Sequence, residues 1–283
     1  MRRLLSATVL LLLIRLDSAA KAQSFAVDRP LPNASEFLER VRQNVARQYD
    51  DAILLNGYTY HVKSTRDNLT GEGALKDRRI EESEVINKDG LPLYKLVSND
   101  GKPLSDKEAA KQEYKPLRRG PFRPKSGQEA IAEAKAFVDD LFRVMDFTLV
   151  RRENVRNRPT IVVEFSPKKN AQPRTRAGKM VLTRSKGEAW IDEADYVLAR
   201  LQSRFVEDLT YGTSVMVKIN KGTEVVREWL KFRDEVWLPA SSETRFKARV
   251  FLIKGFNFRR VEEFSSYKKF SSETNFKVVD EHE

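Results

Sequence analysis

The feature that most constrains this fold is a run of period two in residues 187–206, GEAWIDEADYVLARLQSRFV. In its first half Ala189 and Ile191 fall on one side of the chain and Trp190 on the other. In its second half Val197, Ala199, Leu201 and Phe205 share one side, and Arg200, Gln202 and Arg204 line the opposite one. Alternation of this kind marks a strand with one buried and one wet face. Asp192, Glu193, Ala194 and Asp195 lie between the halves as turn material, so the run predicts an antiparallel hairpin whose apolar side needs cover.

The cover comes from helices. Asn33, with Glu36 three residues on, can cap a helix over residues 34–50, in which Phe37, Leu38, Val41, Val45 and Tyr49 recur at helical spacing. A second capping box, from Ser126 to Glu129, opens the strongest helix, through residue 146; Ala130, Ile131, Ala134, Phe137, Val138, Leu141, Phe142 and Met145 give it a broad apolar stripe. A face of that width demands a large partner. Ser105, with Glu108, predicts a short helix through Tyr114. After it, residues 115–125 (KPLRRGPFRPK) hold three prolines and five bases, which predicts a linker or basic loop with no regular element.

Strands fill most of the rest. The pattern predicts one from Tyr58, a charge-rich one over 75–87 placed at an edge or with both faces wet, and a third over 91–98. Turns at 68–73, 89–90 and 100–101 join them into a meander. After the long helix, strands are expected at 148–154, 160–166, 179–185, 188–192, 195–207, 213–220, 224–233, 236–254 and 256–265. A meander this large curls or splits. The predicted class is therefore α+β: a large curved antiparallel sheet, an unclosed β-barrel, with two to three helices packed in its concave side.

The amino terminus has a separate logic. Arg2 and Arg3, an apolar run at 9–14 and the small-residue signal Ala20-Lys21-Ala22 predict a signal peptide over residues 1–22 and hence export to the periplasm. The run is too short for a membrane span, which needs about 20 residues. Residues 23–270 then form a single domain and 271–283 a polar tail. The chain has no cysteine, so disulfides, thiolate metal sites and a lipid-modified cysteine are excluded. Lys and Arg number 52 against 41 Asp and Glu; without residues 1–22 the balance is 48 against 40, an excess that can draw the chain to an anionic membrane surface or leave it merely well solvated. No nucleic-acid motif is present.

At residues Gly187-Glu188-Ala189-Trp190-Ile191-Asp192, followed by Asp195-Tyr196-Val197-Leu198 and Leu201, the chain resembles the LolA/LolB-type outer membrane lipoprotein-sorting proteins. The order of elements over residues 34–270 is similar to theirs as well. The resemblance implies an unclosed half-barrel with a helical lid over an apolar cavity, and a non-enzymatic periplasmic carrier that shields lipid or the acyl chains of lipoproteins. The alternative is an envelope sensor or interaction module that uses the same scaffold to bind a protein partner.

No enzyme motif competes with that reading. His61 and His282 are the only histidines, and no H-E-x-x-H, G-x-S-x-G or P-loop occurs. Asp192 and Asp195 are a carboxylate pair on paper, but as turn residues they have an ordinary role. No metal or cofactor is expected, and the chain is expected to be a monomer. The candidate cavity residues are Phe137, Leu141, Phe165, Val197, Leu201, Phe205, Trp229, Phe232 and Phe246, apolar side chains that line a ligand space or fill a core.

Overall fold

A computed structural model describes residues 29–50, 57–88, 91–116, 127–211, 217–250 and 254–269; the expected signal peptide over 1–22, the expected polar tail over 271–283 and most of the basic 115–125 segment lie outside the described residues. One antiparallel sheet of 14 strands runs through them. Its first part is β1 (Tyr58–Leu69), β2 (Leu75–Lys88) and β3 (Leu91–Asn99), with two-residue strands β4 (Lys102–Pro103) and β5 (Lys115–Pro116) on β3. Its second part is β6 (Met145–Val155), β7 (Arg158–Pro167), β8 (Ser185–Asp192), β9 (Leu198–Phe205), β10 (Leu209–Tyr211), β11 (Val217–Ile219), β12 (Glu224–Phe232), β13 (Val236–Val250) and β14 (Lys254–Lys269).

The strand order is β4-β3-β2-β1-β14-β13-β12-β9-β8-β7-β6, with β10 and β11 as a side hairpin attached to β13. Thus β14 returns to pair with β1 and joins the two parts, while β4 and β6 end the main path without pairing to each other. The sheet is unclosed. Two of its hairpins turn on residue pairs with positive φ: Arg156 and Asn157 (49° and 63°) form the two-residue connection of β6 to β7, the twist that suits such a turn, and Arg233 and Asp234 (51° and 57°) with Glu235 join β12 to β13.

Four helices occur among the described residues. Helix α1 (Ala34–Asp50) starts where the Glu36 N–H donates to Asn33 Oδ1 at 3.1 Å. The short α2 (Asp106–Ala109) begins with the Ser105 N–H donating to the Glu108 carboxylate at 3.0 Å. Helix α3 (Gly127–Val144) packs against α1, and α4 (Arg176–Val181) is capped by Thr175, whose hydroxyl oxygen accepts the Gly178 N–H. None is long and apolar enough to cross a membrane.

Several expectations need correction. Of the strand expected over 179–185 only Ser185 is in one, as the start of β8; residues 179–184 are the end of α4 and a 3-10 turn over Leu182–Arg184, because the Thr175 cap starts a helix that the local alternation hides. Met145 is the first residue of β6 rather than part of the long helix, and α2 ends five residues short of Tyr114. The prolines of the 115–125 segment do not prevent Lys115–Pro116 from pairing with β3. Strand β2 is internal to the sheet, although its first residues pair only with β1, since β3 ends at Asn99 opposite Glu81; that half carries the exposed charges.

The hairpin of residues 187–206 is β8 and β9, but its period is interrupted. Trp190 pairs with Arg200 and Ile191 with Leu198, so Ala199 is an extra residue, a β-bulge. The phase therefore changes within β9. Ala199 packs with Trp190, Val155 and Val162 on one face, while Leu198 packs with Ile191, Ile161 and Val163 on the other, beneath Phe37 and Val41 of α1. Val197 is buried in the turn, where its carbonyl accepts the Asp192 N–H at 2.8 Å.

Candidate functional site: an apolar cavity between helices and sheet

Two helices and one face of the sheet enclose a cavity of about 370 Å³. Helix α1 contributes Leu38, Val41 and Val45, and α3 contributes Phe137, Val138, Leu141 and Phe142. These are the apolar stripes of both helices, turned towards the sheet as amphipathic helices require. The opposite wall is Met145 and Phe147 of β6, Val163 and Phe165 of β7, Ala189 and Ile191 of β8, Leu198 and Leu201 of β9, and Trp229 of β12. Val181 and Leu182 close one side. Ser185, Ser203 and Arg227 are the polar exceptions in the lining.

Both helices are fixed by polar contacts outside the cavity. On α1, Asn44 donates to the Asp195 carbonyl at 2.5 Å, Arg40 donates to the Tyr196 hydroxyl at 2.8 Å, and the Phe37 and Tyr196 rings lie 5.4 Å apart. The turn between β8 and β9 therefore holds α1 in place against the sheet. On α3, the buried Asp140 carboxylate accepts from the N–H groups of Arg174 and Thr175 at 2.9 and 2.6 Å, from the Thr175 hydroxyl at 2.6 Å and from Arg143. Burial on its own raises the pKa of Asp140, but these donors outweigh it and hold the carboxyl far below the usual carboxylate range.

The turn itself is ionic. Arg158 donates to both oxygens of the buried Asp192 at 2.6 and 3.0 Å and to Asp195 at 3.2 Å. Asp192 also accepts the N–H groups of Ala194 and Asp195, while Asp195 accepts from Lys231 and Trp237. Burial opposes ionisation of Asp195, yet its hydrogen bonds to Lys231 and Trp237 and the nearby Arg158 lower its pKa. These two carboxylates are occupied in building a turn. They do not present a free acid and base to a substrate.

The outer face of the sheet is chemically different. Arg151 donates to Glu188 at 2.7 and 3.0 Å, Gln202 to Glu224 at 2.9 Å, Arg259 to Glu243 at 2.8 and 3.0 Å, and Arg78 to Asp67 at 2.5 and 3.0 Å. A depression of about 420 Å³ on this face is lined by such groups, among them Glu164, Lys186, Glu188, Gln202 and Glu224. Among the described residues there is no cluster of three His, Asp or Glu able to hold a metal.

Of the nine candidate residues, the structure brings Phe137, Leu141, Phe165, Leu201 and Trp229 together around the cavity. The other four lie elsewhere. Val197 is in the turn between β8 and β9, and Phe205 ends β9 opposite Ser185. Phe232 packs with Tyr58 and Tyr267 at 6.1 and 5.6 Å, and Phe246 stacks on Phe258 at 5.0 Å. The α1 stripe, Leu38, Val41 and Val45, was visible as a helical face, but not as a cavity wall. Arg227 gave no signal in the local pattern.

No protein-family model and no curated protein sequence matches the chain. Among solved structures it is similar to a LolA superfamily protein from Nitrosomonas europaea, at 12% identity over 81% of this chain and 94% of that one, with a TM-score of 0.34. It is also similar to a putative outer membrane lipoprotein-sorting protein domain from Vibrio parahaemolyticus (10% identity, 85% and 94% coverage, TM-score 0.37) and to the MucA/MucB complex of Pseudomonas aeruginosa (11%, 85% and 100%, 0.25). Likenesses of this size do not bear on activity.

Proposed function

We propose that this protein is a non-enzymatic periplasmic carrier, exported by its signal sequence, that binds lipid or the acyl chains of lipoproteins between α1, α3 and the sheet. The observation that supports it is the 370 Å³ cavity, whose wall is apolar on both the helix and the strand side. Its size lies within the range of small-molecule sites, roughly 300–1,000 Å³, and is well over twice the engineered cavity of about 150 Å³ that takes up benzene. Each methylene withdrawn from water is worth about 0.8 kcal/mol, so an acyl chain in aqueous transit gains from such a cover.

The test is native mass spectrometry of the full chain purified from periplasm without detergent, followed by delipidation and rebinding of a fluorescent fatty acid. Lipid adducts and saturable rebinding are expected. A protein that carries no lipid and binds no acyl probe, yet retains a protein partner, would show an interaction module instead.

A further inference from the structure

Among the described residues that line the cavity Arg227 is the one that carries a charge, and it stands at an apolar wall. It stands on the helix-side face of β12, paired with Leu201 of β9 on one side and Ser242 of β13 on the other, two residues before Trp229. It is exposed, and none of the described residues forms an ion pair or hydrogen bond with it. The nearest carboxylate along that row is Glu262, beyond Ser242, about 10 Å away at the usual strand spacing of ~4.8 Å. Several arginines elsewhere on the sheet are matched at close range, as Arg151 is to Glu188 and Arg259 to Glu243. A guanidinium at an apolar wall, with its donors unspent, is suited to a planar or tetrahedral oxyanion.

We infer that Arg227 binds the anionic headgroup of a single-chain amphiphile whose tail occupies the cavity. This deepens the carrier reading and rests on it. Ser203, one strand away in the wall, offers a neutral donor beside the same headgroup. The cavity's volume points to one chain rather than several. The shared ligand chemistry is an oxyanion on an alkyl tail, whether the carboxylate of a fatty acid or the phosphate of a monoalkyl phosphate.

The test is isothermal titration of the delipidated full chain and its Arg227→Gln and Arg227→Lys variants with dodecanoate, dodecyl phosphate and the uncharged dodecyl maltoside, each below its micelle concentration. Arg227 gives up no described contact on substitution, so the variants should fold, and circular dichroism checks that they do. The expected result is that Arg227→Gln weakens the two anions about tenfold or more, the scale of a lost charge-assisted hydrogen bond, and leaves the maltoside unchanged. Arg227→Lys should recover part of the loss. The stronger of the two anions identifies the headgroup class. If Arg227→Gln binds all three as the parent does, the headgroup assignment is overturned and the carrier reading stands. If the parent protein binds none of them, both fall.

Discussion

Gly187 approaches the strand beside it so closely that a Cβ on it would lie 1.9 Å from the carbonyl oxygen of Gln202. No side chain can be accommodated at that distance, and the obstacle is backbone, which cannot rotate away. The glycine at the head of β8 is therefore required by the crossing of β8 and β9, directly beside the Ser203 and Leu201 wall of the cavity. Gly187→Ala should destabilise the protein by about 2–3 kcal/mol, the upper range of overpacking effects. Urea unfolding followed by tryptophan fluorescence reads this as a lower midpoint with little change in slope.

Asp140 makes a second prediction, in pH. Because its folded-state pKa is depressed, its contribution is fully present above about pH 4, the ordinary carboxylate value of the unfolded chain, and is lost as the pH falls through the acid range. Asp140→Asn removes the charge and half the acceptor capacity for Arg174, Thr175 and Arg143. It should cost about 2–3 kcal/mol at neutral pH, and the gap from the parent should narrow when unfolding is measured from pH 6 down to pH 3. An unchanging gap would contradict the role given to the carboxylate. Gly178 shares this constraint, since a Cβ there would lie 2.7 Å from Asp140 Oδ2.

Filling the cavity should separate binding from folding. Leu201 is half-buried in the wall and Arg204 is exposed on the other face of β9. Leu201→Trp puts extra volume into the space and should reduce binding of a fluorescent fatty acid at least tenfold while changing stability by less than about 1.5 kcal/mol, because a void is available to receive the ring. Arg204→Ala should leave that binding within twofold. Fluorescence titration of both variants beside the parent provides the comparison.

Much of this architecture was legible in the sequence because period two persists over long strands and period 3.6 over α1 and α3. Where local pattern and tertiary contact disagree, the sequence misleads. The residues of α4 alternate well enough to suggest a strand, but the Thr175 cap, whose N–H the Asp140 carboxylate accepts, fixes a helix there. In β9 the bulge at Ala199 turns that side chain to the Trp190 face, and no local signal marks it. The cavity is harder still to foresee. Its wall depends on β9 pairing with β12 across the β10–β11 excursion, which brings Leu201 beside Arg227 from 26 positions away. Aromatic content alone could not distinguish Trp229, which is in the wall, from Phe246, which is stacked on Phe258 and is not among the lining residues.

The two kinds of ion pair in this sheet should differ sharply in worth. Arg158 binds Asp192, whose side chain is 1% exposed, whereas Lys218 binds Asp208 with the two side chains 37% and 38% exposed. Removing Arg158 strands a buried carboxylate that also organises the turn holding α1, so Arg158→Ala should destabilise by about 3–5 kcal/mol. Lys218→Ala should cost less than about 1 kcal/mol, since water and salt replace much of what an exposed partner supplies. Chemical denaturation of both variants, at low and at high salt, distinguishes them, and comparable losses would refute the division into a structural turn and a solvated surface pair. Because Asp195 and Tyr196 hold Asn44 and Arg40 of α1, Arg158→Ala should also loosen α1 before the rest of the sheet. Hydrogen exchange at the α1 amides should then accelerate at denaturant concentrations where β13 and β14 remain protected.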